Sequence, residues 1–491
     1  MSSNTLKSLL VTFGAVAALT ACGGGADRVA SPGEGAFPPP PTQAPPPPPP
    51  TAPPPPTGGP AADCPAGFAN VGTIANNTLR ACQLPALITG SLTVPKRDGT
   101  VYAISGRVDV GQDRGGDANN PASGAQQGIL TIEPGVRLYG SAGLDYLVVN
   151  RGSQIFAEGT ATEPVIMTSR QSIEGQTNQD SMGQWGGLVV LGRAPINACP
   201  GTTVSGTPEC QAQVEGTNAF YGGNSVGDNS GRMRYLRVMH SGFEILPNNE
   251  LNGITLAGVG NGTVFEYVQV HNSSDDGIEW FGGTVNGRYL VLTGNDDDSL
   301  DADTGWNGTV QFGIVLQRPG GGDRMAEFSS INRTPASNPK FANFTMVGRA
   351  SSSVAIIMNQ GMNAQWYNLV VTRPAEGNTG DGLGCLDVDD ATTTGQFHSV
   401  FFACPQPFVD DANGQAAALF NAGTNNVPNG TSSLTDIFVN GPNENAVPAF
   451  QGLPTVSSYF QQVDYIGGVR DASDTWWQGW TCGLTAATPC H

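Results

Sequence analysis

Carboxylates crowd one short stretch of this 491-residue chain: Asp275, Asp276 and Glu279, then Asp296, Asp297, Asp298, Asp301 and Asp303. Their spacing is regular. YVQVHNSSDDGIE (267–279) aligns with YLVLTGNDDDSLD (289–301) at an offset of 22, which sets Asp275 against Asp297, Asp276 against Asp298 and Glu279 against Asp301. If that offset is one turn of a coil of β-strands, the paired carboxylates stack about 4.8 Å apart. Unit charges at that distance repel by roughly 1 kcal/mol in water and by more where water is excluded. A hard cation relieves this, and Ca2+ accepts about six to eight oxygen ligands. Ca2+ is therefore the candidate cofactor, with Asp323 and Glu327 placed to add ligands from a following coil. The alternative is a solvated acidic ladder in which Asp and Asn serve as turn formers.

Other side chains bear on the same stretch. His240 and His271 end the runs YLRVMH and YVQVH at nearly equivalent positions and are expected to face one groove; hydrogen bonding at a strand end is the plainer alternative. Trp280 and Trp306 flank the acidic run and are candidate ring faces for stacking a sugar. Trp366 is a further aromatic of this kind. Trp476, Trp477 and Trp480 read as packing at a terminal cap, because a solenoid must cover its last coil.

The elements that position these residues follow from internal repeats. LTIEPGVRL (130–138) recurs 17 residues later as LVVNRGSQI, and 18 residues further Leu147 and Val149 meet Val165 and Met167. Apolar residues alternate with polar ones and recur, on this reading, once per coil. A period near 17 to 22 residues, Gly or Asn at turns and no helix in the repeat predict an all-β solenoid. The run TIEPGVRLYGSAGLDYLVVNRGSQIFAEGTATEPVIMTS resembles coils of right-handed parallel β-helix proteins secreted by bacteria. A wider resemblance rests on QWGGLVVLGRAPIN (184–197), NELNGITLAGVGNGT (249–263), DDGIEWFGGTVN (275–286), YFQQVDYIGG (459–468) and WWQGWT (476–481). These look like bacterial surface lipoproteins with a β-helix head, a family of poorly defined function that supplies no catalytic residues to carry over.

Many β-helices degrade acidic polysaccharides, so paired aspartates here could serve an inverting hydrolase, whose carboxyls stand about 6.5 to 9.5 Å apart. The Gly-His-Gly and Arg-Ile-Lys tripeptides of the pectin-hydrolase β-helices do not occur in this chain. Lyases of the fold combine Ca2+ with an Arg base; Arg288 and Arg324 are near, without a lyase motif around them. The reading leans away from an enzyme and names no catalytic residue.

The N-terminus carries Lys7 and then the uncharged run SLLVTFGAVAALT, which reads as an export signal over residues 1–21 and is too short to span a bilayer. Leu19-Thr20-Ala21-Cys22 resembles the lipobox of bacterial lipoproteins, which implies lipidation at Cys22, an acyl anchor in the membrane and, since Gly23 is not Asp, an outer-membrane address at the cell surface. Residues 37–60 hold long proline runs, a polyproline II spacer of roughly 60 Å, so 22–60 reads as a disordered stalk. The chain has 41 acidic and 22 basic residues, a net charge of −19, which argues against nucleic acid as a partner. Beside Cys22, eight cysteines fall into four sequential pairs, and local bridging predicts Cys64–Cys82, Cys199–Cys210, Cys385–Cys404 and Cys482–Cys490. The expected organisation is a disulfide-tied cap over 61–93, a parallel β-helix over 94–465 and a disulfide-tied C-terminal cap over 466–491. The expected role is a surface scaffold, braced by Ca2+, that binds glycan, a partner protein or an outer-membrane nutrient-uptake receptor. The alternatives are a polysaccharide-active lyase or inverting hydrolase and a structural surface-layer or adhesion protein.

Overall fold

Short alternating runs cannot bury a face alone, and here they do so by stacking as successive coils of a parallel β-helix. The structure, a computed structural model, describes residues 58–491 apart from 247–248, 320, 350, 352, 410–413, 486 and 491. Cys22, the export signal and nearly all of the proline-rich stretch lie outside the described residues. Two long parallel sheets, of fifteen and eleven strands, wind around one core. In the smaller sheet, Ile254, Ile278, Leu300, Ala326, Ile356 and Leu386 stand in register on consecutive short strands, and all are buried. Each large aliphatic in such a ladder contributes about 1.5–3 kcal/mol by leaving water.

The strands of the larger sheet are longer and bent. Gly231–Met239, Val264–His271, Asn286–Thr293, Thr309–Leu316, Lys340–Val347, Asn363–Thr372 and Thr394–Ala403 pair in parallel, one per coil. Each carries one left-handed residue at its middle: Tyr235, Tyr267, Tyr289, Phe312, Asn343, Asn368 and Ser399. That conformation breaks the pleat, so each strand turns a corner and serves two faces of the coil. The side chains at the corner form a ladder of their own, with Tyr235, Tyr267, Tyr289 and Phe312 stacked at centroid distances of 4.5, 4.4 and 4.9 Å.

The offset of 22 is a true coil period: Val268 pairs with Leu290 and Ile278 with Leu300. The offset of 17 is not. Leu130 pairs with Ile155, whereas Leu147 pairs with Val108 and Leu188 in the other sheet. The repeat at 130–167 is a strand, a glycine turn and a strand laid on successive faces; Gly135 and Gly152 occupy the same left-handed turn position, at φ 76 and 77.

All four local disulfides form as the sequence predicts. The domain boundaries differ from expectation. Coiling begins by Leu79–Gln83, which pairs in parallel with Thr100–Ala103, and the antiparallel strand Ala69–Ile74 covers that first edge. The last coil strand is Gln406–Phe408, and the helix Gln415–Ala422 closes the stack by setting Phe420 against Phe397, Phe402 and Phe408. The C-terminal segment is therefore not an end cap. Residues 431–485 and 487–490 belong to an arm that returns along the outside of the larger sheet, where Phe438, Val469 and Trp480 cover Val291, Ile314 and Val347. Its backbone is received by polar side chains of separate coils. Phe450 N donates to Asn368 Oδ1 (2.7 Å), Asn343 Nδ2 to Tyr465 O (3.0 Å), Gln311 Nε2 to Gln461 O (2.8 Å) and Gln269 Nε2 to Cys482 O (2.6 Å). Gly468 passes so close that a Cβ on it would stand 2.2 Å from the Gly313 carbonyl oxygen. Trp476 and Trp480 rest against the tyrosine ladder. No helix among the described residues is long and apolar enough to cross a membrane.

Candidate metal centre

The acidic stretch maps onto two consecutive coils of the smaller sheet. Glu279 lies in Ile278–Phe281 and pairs in register with Asp301 of Leu300–Asp303; Glu327 follows on the next strand. Each sits at an outward position, between residues that fill the core. Asp275 and Asp276 occupy the turn before the first strand, Asp297 and Asp298 the turn before the second. The turns are locked to each other: Asp298 N donates to Asp276 Oδ1 (3.0 Å) and Arg324 N donates to Asp298 Oδ1 (2.7 Å).

This register draws the carboxylates into three overlapping triads whose ligand atoms lie within 4.8 Å of one another: Asp275, Asp276 and Asp297; Asp276, Glu279 and Asp301; Asp297, Asp298 and Asp323. Asp323 thus joins as the spacing suggests. Glu327 is instead held by Arg324 at 2.9 Å. Asp296 turns away to pair with Arg318, and Asp303 Oδ1 accepts from Thr304 N (2.7 Å), so neither belongs to a triad. Sequence reasoning missed Glu215, Glu244 and Glu250. They come from a loop and from the hairpin of Phe243–Leu246 with Asn249–Leu251, and with Asp275, Asp296 and Asp297 they line a cleft of about 490 Å³. No repeat connects them to the ladder, so nothing in the spacing marks them.

The charges are poorly compensated. Burial, then the carboxylates around them, holds Asp276, Glu279 and Asp301 well above the usual range; Asp298 is raised by burial and by Glu327, with Arg324 opposing. Burial and the neighbouring Asp297 push Asp275 up to about 8, and burial with Asp323 pushes Asp297 to about 6. Among the described residues Arg324 is the cation that pairs with a triad member, Asp323, and it also holds Glu327, while Arg318 holds Asp296 beside them. Asp301 Oδ1 is shut off from solvent and accepts no hydrogen bond from the described residues. An oxygen-only donor set of this density fits a hard divalent cation and does not fit a soft metal that prefers nitrogen or sulfur.

Two other groups stand differently from expectation. Trp280 and Trp306 are 1 % and 0 % exposed and stack on each other at 4.4 Å inside the core, against Phe341. Their faces are closed to a sugar, because a strand that points Glu279 outward must point Trp280 inward. Trp366 is buried in the same aromatic stack. His240 and His271 do meet, ring edge to ring face at 5.6 Å, as the coil register implies. Their Nδ1 atoms are held by Ser181 O (2.7 Å) and Thr293 Oγ1 (2.8 Å), and burial with the neighbouring His240 and Arg237 pulls His271 down to about 3. Neither imidazole lines the acidic cleft. Arg288 is likewise engaged elsewhere, over the Tyr459 ring at 4.1 Å.

The pectate-lyase-like β-helix domain matches residues 119–481, most of the chain. The chain belongs to that family. No curated protein and no solved structure matches it. The match spans the acidic coils and the returning arm as far as Thr481.

Proposed function

We propose that this pectate-lyase-like β-helix is the head of an outer-membrane lipoprotein, lipidated at Cys22 and carried at the cell surface on its proline-rich stalk. The head acts as a binding scaffold for glycan or a partner outer-membrane protein, with Ca2+ bracing the acidic coils. The observation that supports a cation is the set of buried carboxylates in three shared triads with little cationic compensation. A rigid stack of coils presenting one charged face suits recognition, since its surface needs little ordering when a partner binds.

The deciding experiment is a titration of the chelator-treated protein with Ca2+. Binding to the folded form alone raises stability by about 2.7 kcal/mol when the ion is in hundredfold excess over its Kd, so the melting temperature should rise by several degrees and calorimetry should register heat. An unchanged melting temperature at millimolar Ca2+ rejects the cation. A second reading, a polysaccharide lyase, draws on Arg324, a guanidinium among the carboxylates beside Asp323 and Glu327; burial favours loss of its proton, but Glu327, Asp298 and Asp323 outweigh it and hold the proton more firmly than usual, which opposes a role as base. Release of unsaturated sugars from acidic polysaccharide, lost in Arg324→Gln, would favour it over the scaffold.

A further inference from the structure

A second cavity, of about 520 Å³, opens between the coil ends near His271, Thr293 and Leu316 and the disulfide loop at the tip of the arm; it shares no lining residue with the acidic cleft. Its size falls within the range of about 300–1,000 Å³ usual for small-molecule sites. Much of its wall is apolar: Leu316, Pro319, Ile437, Leu484 and Pro489. Ile437 stays 39 % exposed there, in the left-handed region at φ 77.

The polar part of the wall has one uncompensated charge. Arg318 pairs with Asp296 and Asp180. Arg349, by contrast, makes no ion pair among the described residues; the Nε atoms of both arginines are buried without an acceptor. Arg349 is the guanidinium of this wall left free to meet an anion. A planar fork of N–H donors matches a carboxylate through two parallel hydrogen bonds.

We infer that this cavity binds a small organic carboxylate with an apolar body, the carboxylate on Arg349 and the body against Leu316, Ile437 and Leu484. Two sources share that chemistry, a medium-chain fatty acid and an aryl-alkanoic acid. The inference does not rest on the cation reading, because Arg349 and the apolar residues that carry it line no part of the acidic cleft; Arg318 of this wall pairs with Asp296 of that one.

The test is calorimetry on the full chain with decanoate and 3-phenylpropionate as probes and with decanol and acetate as controls that lack the charge or the body. At least one acid should bind saturably, and decanol and acetate should each bind it about tenfold or more weakly. The stronger acid identifies the source. Arg349→Gln should lose about tenfold in affinity for the acid while leaving decanol unchanged, and Ile437→Asp should weaken both, with melting temperatures reporting that the variants fold. Equal affinity for decanoate and decanol, full affinity in Arg349→Gln, or no binding of either acid overturns the inference.

Discussion

Asp301 concentrates the problem that the acidic coils pose. Its Oδ1 is closed to water and unbonded, Glu279 stands beside it in register, and Asp276 completes the triad. Replacing it by Asn keeps the shape and removes the charge. In chelator at pH 8, Asp301→Asn should therefore be as stable as the parent or more so, by up to about 1–3 kcal/mol, and it should lose most of the rise in melting temperature with Ca2+. Destabilisation in chelator would show that the charge is satisfied by the protein itself. The pH dependence follows with a definite sign. Asp275 near 8 and Asp297 near 6 titrate above the unfolded value of about 3.9. Their protonated forms favour the fold, so their contribution is complete below that value and is lost as pH rises through 6 and then 8. The chelated protein should melt at progressively lower temperature from pH 5 to pH 9, and saturating Ca2+ should flatten the curve. A flat curve in chelator would remove the argument. The tryptophans carry the corresponding lesson about legibility. Glu279 and Trp280 are adjacent on one strand and cannot both face out, so the burial of Trp280 was implicit in the period of two; proximity in sequence had suggested otherwise.

Among the elements, legibility depends on insertions. The coil from 267 to 289 carries none, so its offset of 22 survives in the sequence and sets Glu279 against Asp301 in the register the structure has. Elsewhere loops stretch the coils, Leu236 pairing with Val268 and Gly313 with Phe344, and no constant period remains to be read. Glu215, Glu244 and Glu250 enter from such excursions. The arm was unreadable for a related reason, since its partners lie on coils far away in sequence. Trp480 is its largest fully buried side chain, set against Tyr235 and Tyr267. Truncating it should cost about 3–5 kcal/mol and should make the segment around residues 470–490 the first site of limited proteolysis. A variant that melts like the parent and resists protease would mean that the arm is held by its hydrogen bonds alone.

For the whole molecule, composition and repeats fixed the class of fold in advance, and the family match over residues 119–481 agrees with them. The four close cysteine pairs were equally legible, because each bridge closes a local loop of 8 to 19 residues. Placement in the cell belongs to this scale too. Cys22→Ser should shift the protein from the detergent-soluble outer-membrane fraction to the soluble fraction, with palmitate label lost; label retained in that variant would reject the lipobox.

A solenoid is ordinarily a one-dimensional stack in which each coil touches only its neighbours, so an end coil can open while the rest stays closed. The returning arm changes that arithmetic. It bonds to Gln269, Gln311, Asn343 and Asn368, on four different coils, and Arg237 of a further coil donates to Trp480 O at 2.7 Å. Opening any one of these coils forfeits contacts made by a segment that all of them share. The stretch from Gly231 to Thr372 is thereby tied into a single cooperative unit, and its slowest amides should exchange together, by global unfolding, rather than in a gradient from the ends.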